Sequence, residues 1–566
     1  MRTDIYSIST VCNAGSKARP GGPYRLVAGA ACDIFSLWTE QDGILGRNIG
    51  VAASGSAEVS RTAVEILEAG GNAFDAALGA LCTAAIAEPL LVSLGGGGFM
   101  LALPDGQKPR VYDFFCQTPS RRRPTAELDF YPIMANFGTA AQEFHIGMGS
   151  IAVPGIVAGI FEAHQELGRM PLPDIMAPSI ELARGGVRVD EFHHYIIRIL
   201  RPIMQATPSS FSLFESPAHP GRLIRVGELL RNPQAADSLE ALAREGQALF
   251  YRGEWAAQFA RDCLERGGHI TREDLAAYRV ERREPVVFRY RGTRCAINPP
   301  PSPGGCLIAF ALGVISDWDS SQETWGSPGH ALNLLRGMRA ASVARHRYRL
   351  ESGLEREKME RLLGEETVRE WQQGLELNSL FSRGTTHISV ADRAGNIASL
   401  TASNGEGCAY VLPDSGIMLN NMLGEEDLNF GGFHRWKENV RLASMMSPAV
   451  AELADGTRIA LGTGGSNRIR SAITQVLVNL LDFGMSLEQA VTASRMHLEG
   501  DMLSIEAGFP EDAVHALTSA VPRHHVWPES NLFFGGVHTV SIKHGGIFDG
   551  AGDPRRGGVV AFARSG

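Results

Sequence analysis

"RGTTHISVADRAGNIASLTASNGEG", residues 383–407, holds two strand-like runs, "THISVAD" and "NIASLTA", and opens them with Gly384–Thr385–Thr386. β-branched residues suit strands because they pack well on a pleated surface. The threonine pair therefore has a packing reading. It also has a chemical one, and the two stay open until the rest of the chain is read.

Threonine is a weak nucleophile unless a base stands beside it. A threonine at a chain start carries its own base, because an α-amine has a reference pKa of about 7.7–8.0 and partial burial brings it towards neutrality. Thr385 is internal, so this chemistry requires the Gly384–Thr385 bond to be cut first. Attack of the Thr385 hydroxyl on the Gly384 carbonyl gives an ester that water opens. A glycine on the acyl side leaves that carbonyl uncrowded and tolerates strained dihedrals. The oxyanion formed needs donors, and "LGTGGSNRIR" (461–470) offers a strand, then Gly464–Gly465, then a helix. A plain strand-to-helix turn explains the same stretch equally well in isolation.

The chain has 566 residues, 44% hydrophobic and 20% charged, with a formal net charge of −9. That length holds one large layered unit or several domains, and the composition is that of a folded protein. No basic stripe is present to neutralise phosphates, which argues against a nucleic-acid partner. The Arg121–Arg122–Arg123 cluster reads as a solvated loop. Eight scattered cysteines form no CxxC pair, against a zinc site or a dense disulfide framework. The adjacent pairs His193–His194 and His524–His525 do not share a helix face, so neither metal nor other cofactor is expected. No run reaches the apolar length of a membrane span, and the first residues lack a secretory apolar segment. The expected location is the cytoplasm, with a periplasmic or secreted protein as the alternative.

Residues 1–48 lack periodicity and read as a lead-in. "AEVSRTAVEILEAGGNAFDAALGALCTAAIAEP" from Ala57 reads as two helices, the second buried, and "LGGGGFMLALPDG" turns into a strand. Without a following Lys-Ser/Thr, Gly95 to Gly98 read as close backbone packing and not as a phosphate loop. Residues 150–380 carry mostly helical spacing, interrupted by "NPPPSPGG" (298–305). After 384 strands dominate, with helices at "NRIRSAITQVLVNLLDF" and "SLEQAVTASRM". Strands sandwiched by helices predict a layered α/β unit.

Taken in order, "GNAFDAALGALCTAAIAEPLLVSLGGGGFM" (71–100), "SIAVPGIVAGIFEAHQELG" (150–168), "APSIELARGGVRV" (177–189), "RGGHITREDLAAYRVERREP" (266–285), "TTHISVADRAGN" (385–396), "GIMLNN" (416–421), "SMMSP" (444–448) and "GTGGSNRIR" (462–470) form a series. That series resembles the γ-glutamyltransferases of the N-terminal-nucleophile hydrolase superfamily. The resemblance implies a four-layer αββα sandwich and self-cleavage between Gly384 and Thr385. A large subunit, 49–384, and a small one, 385–566, would stay together and act on a small-molecule amide. It further implies Thr385 as nucleophile, Gly464 and Gly465 as oxyanion donors, Asn404 facing the nucleophile, and Ser444 on a substrate carboxylate. His387 matches a family histidine, for which a buried structural place is expected.

The departures cluster where the family reads the γ-glutamyl group. In "YDFFCQTPSRR" Phe115 stands where an arginine clamping the donor carboxylate is expected, unless one of Arg121 to Arg123 replaces it. The paired serines become Ser444–Met445, the amine-holding turn becomes "NNMLGEEDLN" with Met422 and Glu425, and a supporting threonine becomes Ala402. A charge-assisted hydrogen bond contributes about 1.5–3 kcal/mol, so loss of the clamp implies roughly tenfold to hundredfold weaker binding of such a donor. The expectation is a self-processing threonine amidohydrolase or acyltransferase, on γ-glutamyl amides or on acyl amides lacking the full amino-acid head. Cephalosporin acylases and small-amide hydrolases such as oxamate amidohydrolase are related branches. A non-enzymatic scaffold is the alternative from another class. A serine hydrolase is disfavoured because no clean GxSxG stands at a strand–turn–helix.

Overall fold

The computed structural model describes residues 48–136, 141–348, 350, 354–372, 385–429 and 431–565. The lead-in (1–47 of it) and Gly384 lie outside the described residues. Thirteen strands build two large sheets: β1 (Asn48–Ser54), β2 (Gly97–Leu103), β3 (Arg110–Phe114), β4 (Glu281–Arg283), β5 (Val286–Tyr290), β6 (Thr293–Ile297), β7 (Thr386–Asp392), β8 (Ile397–Ser403), β9 (Ala449–Glu452), β10 (Arg458–Gly464), β11 (Gly536–Lys543), β12 (Ile547–Ala551) and β13 (Val559–Arg564). The first sheet runs β13-β1-β7-β8-β2-β3-β4 and the second β12-β11-β10-β9-β6-β5, with antiparallel neighbours throughout.

Alternation along the strands decides the layering. On β7, Ile388 and Val390 join Leu400 of β8 and Met100 of β2 in a core shared with helices α1 (Ala57–Glu68) and α2 (Ala73–Ala87). Successive strand residues point to opposite faces, so His387, Ser389 and Ala391 turn to the other sheet. Helix α2 is buried at every position, as its run of small and apolar residues demands, and Asn72 and Asp75 close its start as a capping box. The second sheet is covered on its outer side by α3 (Gly304–Ile315), α4 (Pro328–Arg347) and α5 (Arg468–Leu481), which share a core with Leu461, Val537 and Val540. The result is helices, sheet, sheet, helices: the expected αββα sandwich. No helix among the described residues is long and apolar enough to cross a membrane.

The middle of the chain holds more than helices. β4, β5 and β6 lie in the region read as helix-rich, β4 at an edge of the first sheet and β5 and β6 at an edge of the second. β1 lies between β7 and β13, with Ser54 opposite Ile388 on one side and Val559 on the other. Sequence before and after position 384 is therefore woven into one sheet.

The seam between the sheets is polar under β7. His387 Nδ1 lies 2.7 Å from Thr401 Oγ1 and Nε2 lies 2.9 Å from Ser389 Oγ. Ser389 Oγ donates to His538 O at 3.2 Å, and Ser399 Oγ to Leu461 O at 3.1 Å. The pairing of each group explains how buried hydroxyls and imidazoles are tolerated there. Gly462 faces the His387 ring so closely that a Cβ would overlap it, so the two sheets meet at van der Waals distance. His387 is thus a buried packing residue.

Burial pushes the His387 pKa well below its ordinary value, and those of His538 and His330 down to about 4. Such groups stay neutral when folded but take up protons when unfolded below pH about 6.5. Their stabilisation is present above that pH and is lost as pH falls towards the folded pKa, at roughly 1.4 kcal/mol per pH unit for each. Because the unfolded imidazoles are only half protonated at pH 6.5, denaturant titrations should show roughly 3 kcal/mol less stability at pH 5.5 than at pH 6.5 from these three. His538→Gln should reduce that loss by about a third.

Candidate active site

Thr385 stands at the entrance of β7. In the β7–β8 register Thr386 pairs with Ala402 and His387 with Thr401, so one step further Thr385 comes opposite Ser403. Both line a cleft of about 490 Å³ with Phe115, Met422, Glu425, Ser444 and Met445. Asp427, Ser466, Leu428, Met446, Pro303 and Ile469 also line it. Of the residues singled out from sequence, Thr385, Phe115, Met422, Glu425, Ser444 and Met445 are brought together here from four separate stretches of chain.

Each wall has a physical support. Phe115 follows β3 and stacks on Phe99 with ring centroids 5.3 Å apart, while Asp113 Oδ1 accepts from its backbone N–H at 3.0 Å. The turn carrying Met422 and Glu425 is tied by Asn429, whose Nδ2 donates to Met422 O at 3.0 Å and to Glu425 O at 2.7 Å. Asn420 Nδ2 donates to Gly95 O at 2.8 Å and Ala152 O at 2.9 Å, fixing the same turn to the glycine run. Ser444 Oγ accepts from Met446 N at 3.1 Å, and its own N–H donates to Ser302 Oγ at 3.2 Å. The glycine run itself behaves as close packing: a Cβ at Gly96 would overlap Ser403 O, and one at Gly98 would press on Thr401 O.

The Gly464–Gly465 turn sits against Thr385. A Cβ at Gly464 would coincide with the Thr385 carbonyl, so only glycine admits this approach. Gly465 has φ +126 and Ser466 φ +49, a backbone excursion that turns the chain before the helix. The glycines do not form the helix start, as their spacing suggested: α5 begins at Arg468 with Asn467 as its N-cap. Any oxyanion donors here are strand-end and turn amides, without the help of the helix dipole. Ser466 Oγ donates to Asp427 Oδ2 at 2.5 Å, linking this turn to the opposite wall.

Asn404 departs from expectation. It does not line the cleft: its Oδ1 accepts from Ser93 Oγ at 3.2 Å and its Nδ2 donates to Leu419 O at 3.5 Å. Ser403, one residue earlier, takes the place facing Thr385. Period-two counting along β7 and β8 would have found it, since Thr401 and Ser403 share a face. Nor do Arg121 to Arg123 replace the missing clamp. Arg122 pairs with Glu438 at 3.3 Å, Arg123 donates to Leu264 O at 2.8 Å, and Arg121 is exposed. Among the described residues no lysine, arginine or histidine lines the cleft.

Two buried groups behind Thr385 were not singled out from sequence. Glu88 Oε2 accepts from Thr386 Oγ1 at 2.9 Å, and burial pushes its carboxyl up from the usual range. Arg556 Nη1 donates to Thr385 O at 3.3 Å. Neither stands in a recognisable motif, and Arg556 lies 171 residues downstream of the threonine. Among the described residues no group of three or more His, Cys, Asp or Glu is placed to hold a metal ion.

Against this geometry stand the comparisons with known proteins. A family model described as Gamma-glutamyltranspeptidase matches residues 59–563. The chain is similar to the Acylase ACY 1 proenzyme of Pseudomonas sp. (strain V22), 30% identical over 512 residues, covering 87% of this chain and 89% of the relative. It is similar to the Glutathione hydrolase proenzyme of Escherichia coli (strain K12), 28% identical over 535 residues, covering 89% and 90%. Among solved structures it resembles the cephalosporin acylase from Bacillus halodurans, with a TM-score of 0.76 and 25% identity over 92% of this chain and 97% of that one.

The contact between Gly464 and Thr385 yields a direct expectation. Gly464→Ala must push Thr385 aside by about 1 Å, a misplacement that costs on the order of 100-fold in rate. Progress curves together with a denaturing gel should show that loss alongside slowed appearance of cleaved fragments. Unaltered activity would mean that the turn does not bear on the nucleophile.

Proposed function

The chain belongs to the gamma-glutamyltranspeptidase family, and on that premise we propose that it is a self-processing amidohydrolase or acyltransferase for amides with a largely apolar acyl group. The observation that carries this reading is the cleft: a threonine against a glycine turn, an apolar wall of Phe115, Met422, Met445 and Met446, and no cation among the described lining residues. The family's enzymes use an N-terminal threonine exposed by self-cleavage. The relatives named above include both glutathione hydrolase and acylase proenzymes.

In this reading the Thr385 hydroxyl attacks the Gly384 carbonyl, the amide nitrogen leaves as the Thr385 α-amine, and water opens the resulting ester. Residues 49–384 and 385–566 become two subunits, and the β13-β1-β7 interleaving holds them together. In turnover the freed α-amine takes the hydroxyl proton while Oγ attacks the substrate carbonyl. The oxyanion is met by amides of the Gly464–Gly465 turn. Ser403 stands within the same cleft to bond the nucleophile. The leaving amine departs with the proton, and water or a second amine then takes the acyl group from the threonine.

Substrate choice follows from charge. A γ-glutamyl donor would bring an α-carboxylate to a wall where Phe115 stands and where Glu425 and Asp427 add negative charge. A carboxylate without a cation beside it is penalised in such a place. Acyl groups lacking that carboxylate carry no such cost, which favours the acylase-like branch over glutathione hydrolysis.

Two anilides that differ only by the α-carboxylate test the reading. The anilide lacking it should be turned over with equal or better kcat/KM, whereas a clamped site would prefer the γ-glutamyl compound by tenfold or more. Thr385→Ala should abolish both activities and migrate as one intact band. A tenfold preference for γ-glutamyl anilide would return the enzyme to the glutathione-hydrolase side of the family.

A further inference from the structure

Arg556 lies behind the nucleophile as a buried cation. It closes the short turn Pro554–Arg556 and is 6% exposed. Nη1 donates to Thr385 O at 3.3 Å, Nη2 donates to Leu532 O at 3.5 Å, and Nε has no hydrogen-bond partner among the described residues. The adjacent acid Asp553 is engaged by Arg495 at 2.6 Å and by Arg555 at 3.2 Å, and Glu506 by Arg555 at 2.6 Å. A Cβ at Gly464 would meet Arg556 Nη1 at 3.0 Å, and one at Gly465 would meet Nη2 at 3.5 Å. The guanidinium therefore underlies both the nucleophile's carbonyl and the glycine turn. Among the described residues this arginine forms no ion pair with a carboxylate, and it is buried from water.

We propose that Arg556 is a positioning residue for the reaction: it pins the Thr385 backbone against Gly464, and its charge keeps the α-amine freed at Thr385 unprotonated near neutral pH. The proposal rests on the reading that processing frees that amine. Within one residue the nitrogen and carbonyl oxygen are roughly 3–4 Å apart, so the guanidinium stands within about 7 Å of the amine. At an effective dielectric near 20, a like charge at that range disfavours the ammonium by roughly one to two pH units.

The other charges around Thr385 define what Arg556 opposes. Glu425 and Asp427 face it across the cleft and favour the ammonium. Glu88 lies beneath, bonded to Thr386, with its carboxyl pushed up by burial and His193 beyond it. Arg468, at the start of α5, adds positive charge; burial lowers its pKa to about 9, and that of Arg556 to about 10, so both are charged at pH 7. His387 and His538 are held neutral by burial. Asp553 is neutralised by its two arginines. Arg556 contacts Thr385 itself, so its loss removes a like charge beside the freed amine, which would then bind a proton more readily.

The α-amine can be titrated directly by competitive acetylation of the processed enzyme, reading the Thr385-terminal peptide by mass spectrometry at a series of pH values. The wild-type midpoint should fall below the reference of about 7.7–8.0. Arg556→Met should raise the midpoint by about one unit or more, and the acid limb of kcat/KM should move up with it. Arg556→Lys, which keeps the charge, should retain the wild-type limb. A midpoint shared by wild type and Arg556→Met, or a wild-type midpoint at or above about 8, would overturn the proposal. The wild-type titration decides even where the Met variant is not processed. Absence of any chain starting at Thr385 would sink the underlying reading instead, and is seen in the same spectra.

Discussion

The structure turns on one steric constraint: the carbonyl of Thr385 occupies the space that a side chain at position 464 would need. Everything that gives the threonine its chemical setting follows from that approach. It brings the entrance of β7 in one sheet onto the end of β10 in the other, across a seam where His387 packs on Gly462. It places the turn of residues 464–466 against the Thr385 backbone. It leaves room beneath for the Arg556 guanidinium to reach the same carbonyl. The two sheets are joined most intimately where the chemistry is proposed to occur.

In the proposed reading the cleft around this point has two halves, one for bond chemistry and one for the acyl group. The half that handles bonds consists of Thr385, Ser403 and the glycine turn. The half that reads the acyl group presents Phe115, Met422, Met445 and Met446, with Glu425 and Asp427 at one side. Phe115 is locked by its stack on Phe99 and by the Asp113 cap on its N–H, so it is a built wall and not a side chain free to swing away. In the proposed reading, substrate choice follows from this wall, which holds no cation among its described residues.

Much of this was readable from the sequence because it is local. Strands β7, β8, β10, β11 and β13, the paired helices α1 and α2, and the cleft positions 115, 385, 422, 425, 444 and 445 follow from period-two runs, caps and ordered motifs. What was missed is non-local or one residue out of step. Ser403 faces the threonine while Asn404 turns to Ser93, a distinction that only the register Thr386–Ala402 settles. The Gly464–Gly465 pair reads as a helix start, but Ser466 and Asn467 intervene before α5. β4 to β6 are short strands in a helical neighbourhood, visible only once their partners are known. Arg556 and Glu88 owe their significance to contacts made 171 and 298 residues away, which no window along the chain can hold.

The central claim is that Thr385, as a chain terminus, carries the acyl group during turnover. The most direct measurement is an acid quench of the enzyme during steady turnover of a slow amide donor, followed by mass spectrometry of the fragments. The account predicts a fragment beginning at Thr385 whose mass rises by the donor's acyl group, with the adduct mapped to that first residue. An adduct on any other residue, or a catalytically active chain still intact across positions 384 and 385, would contradict it.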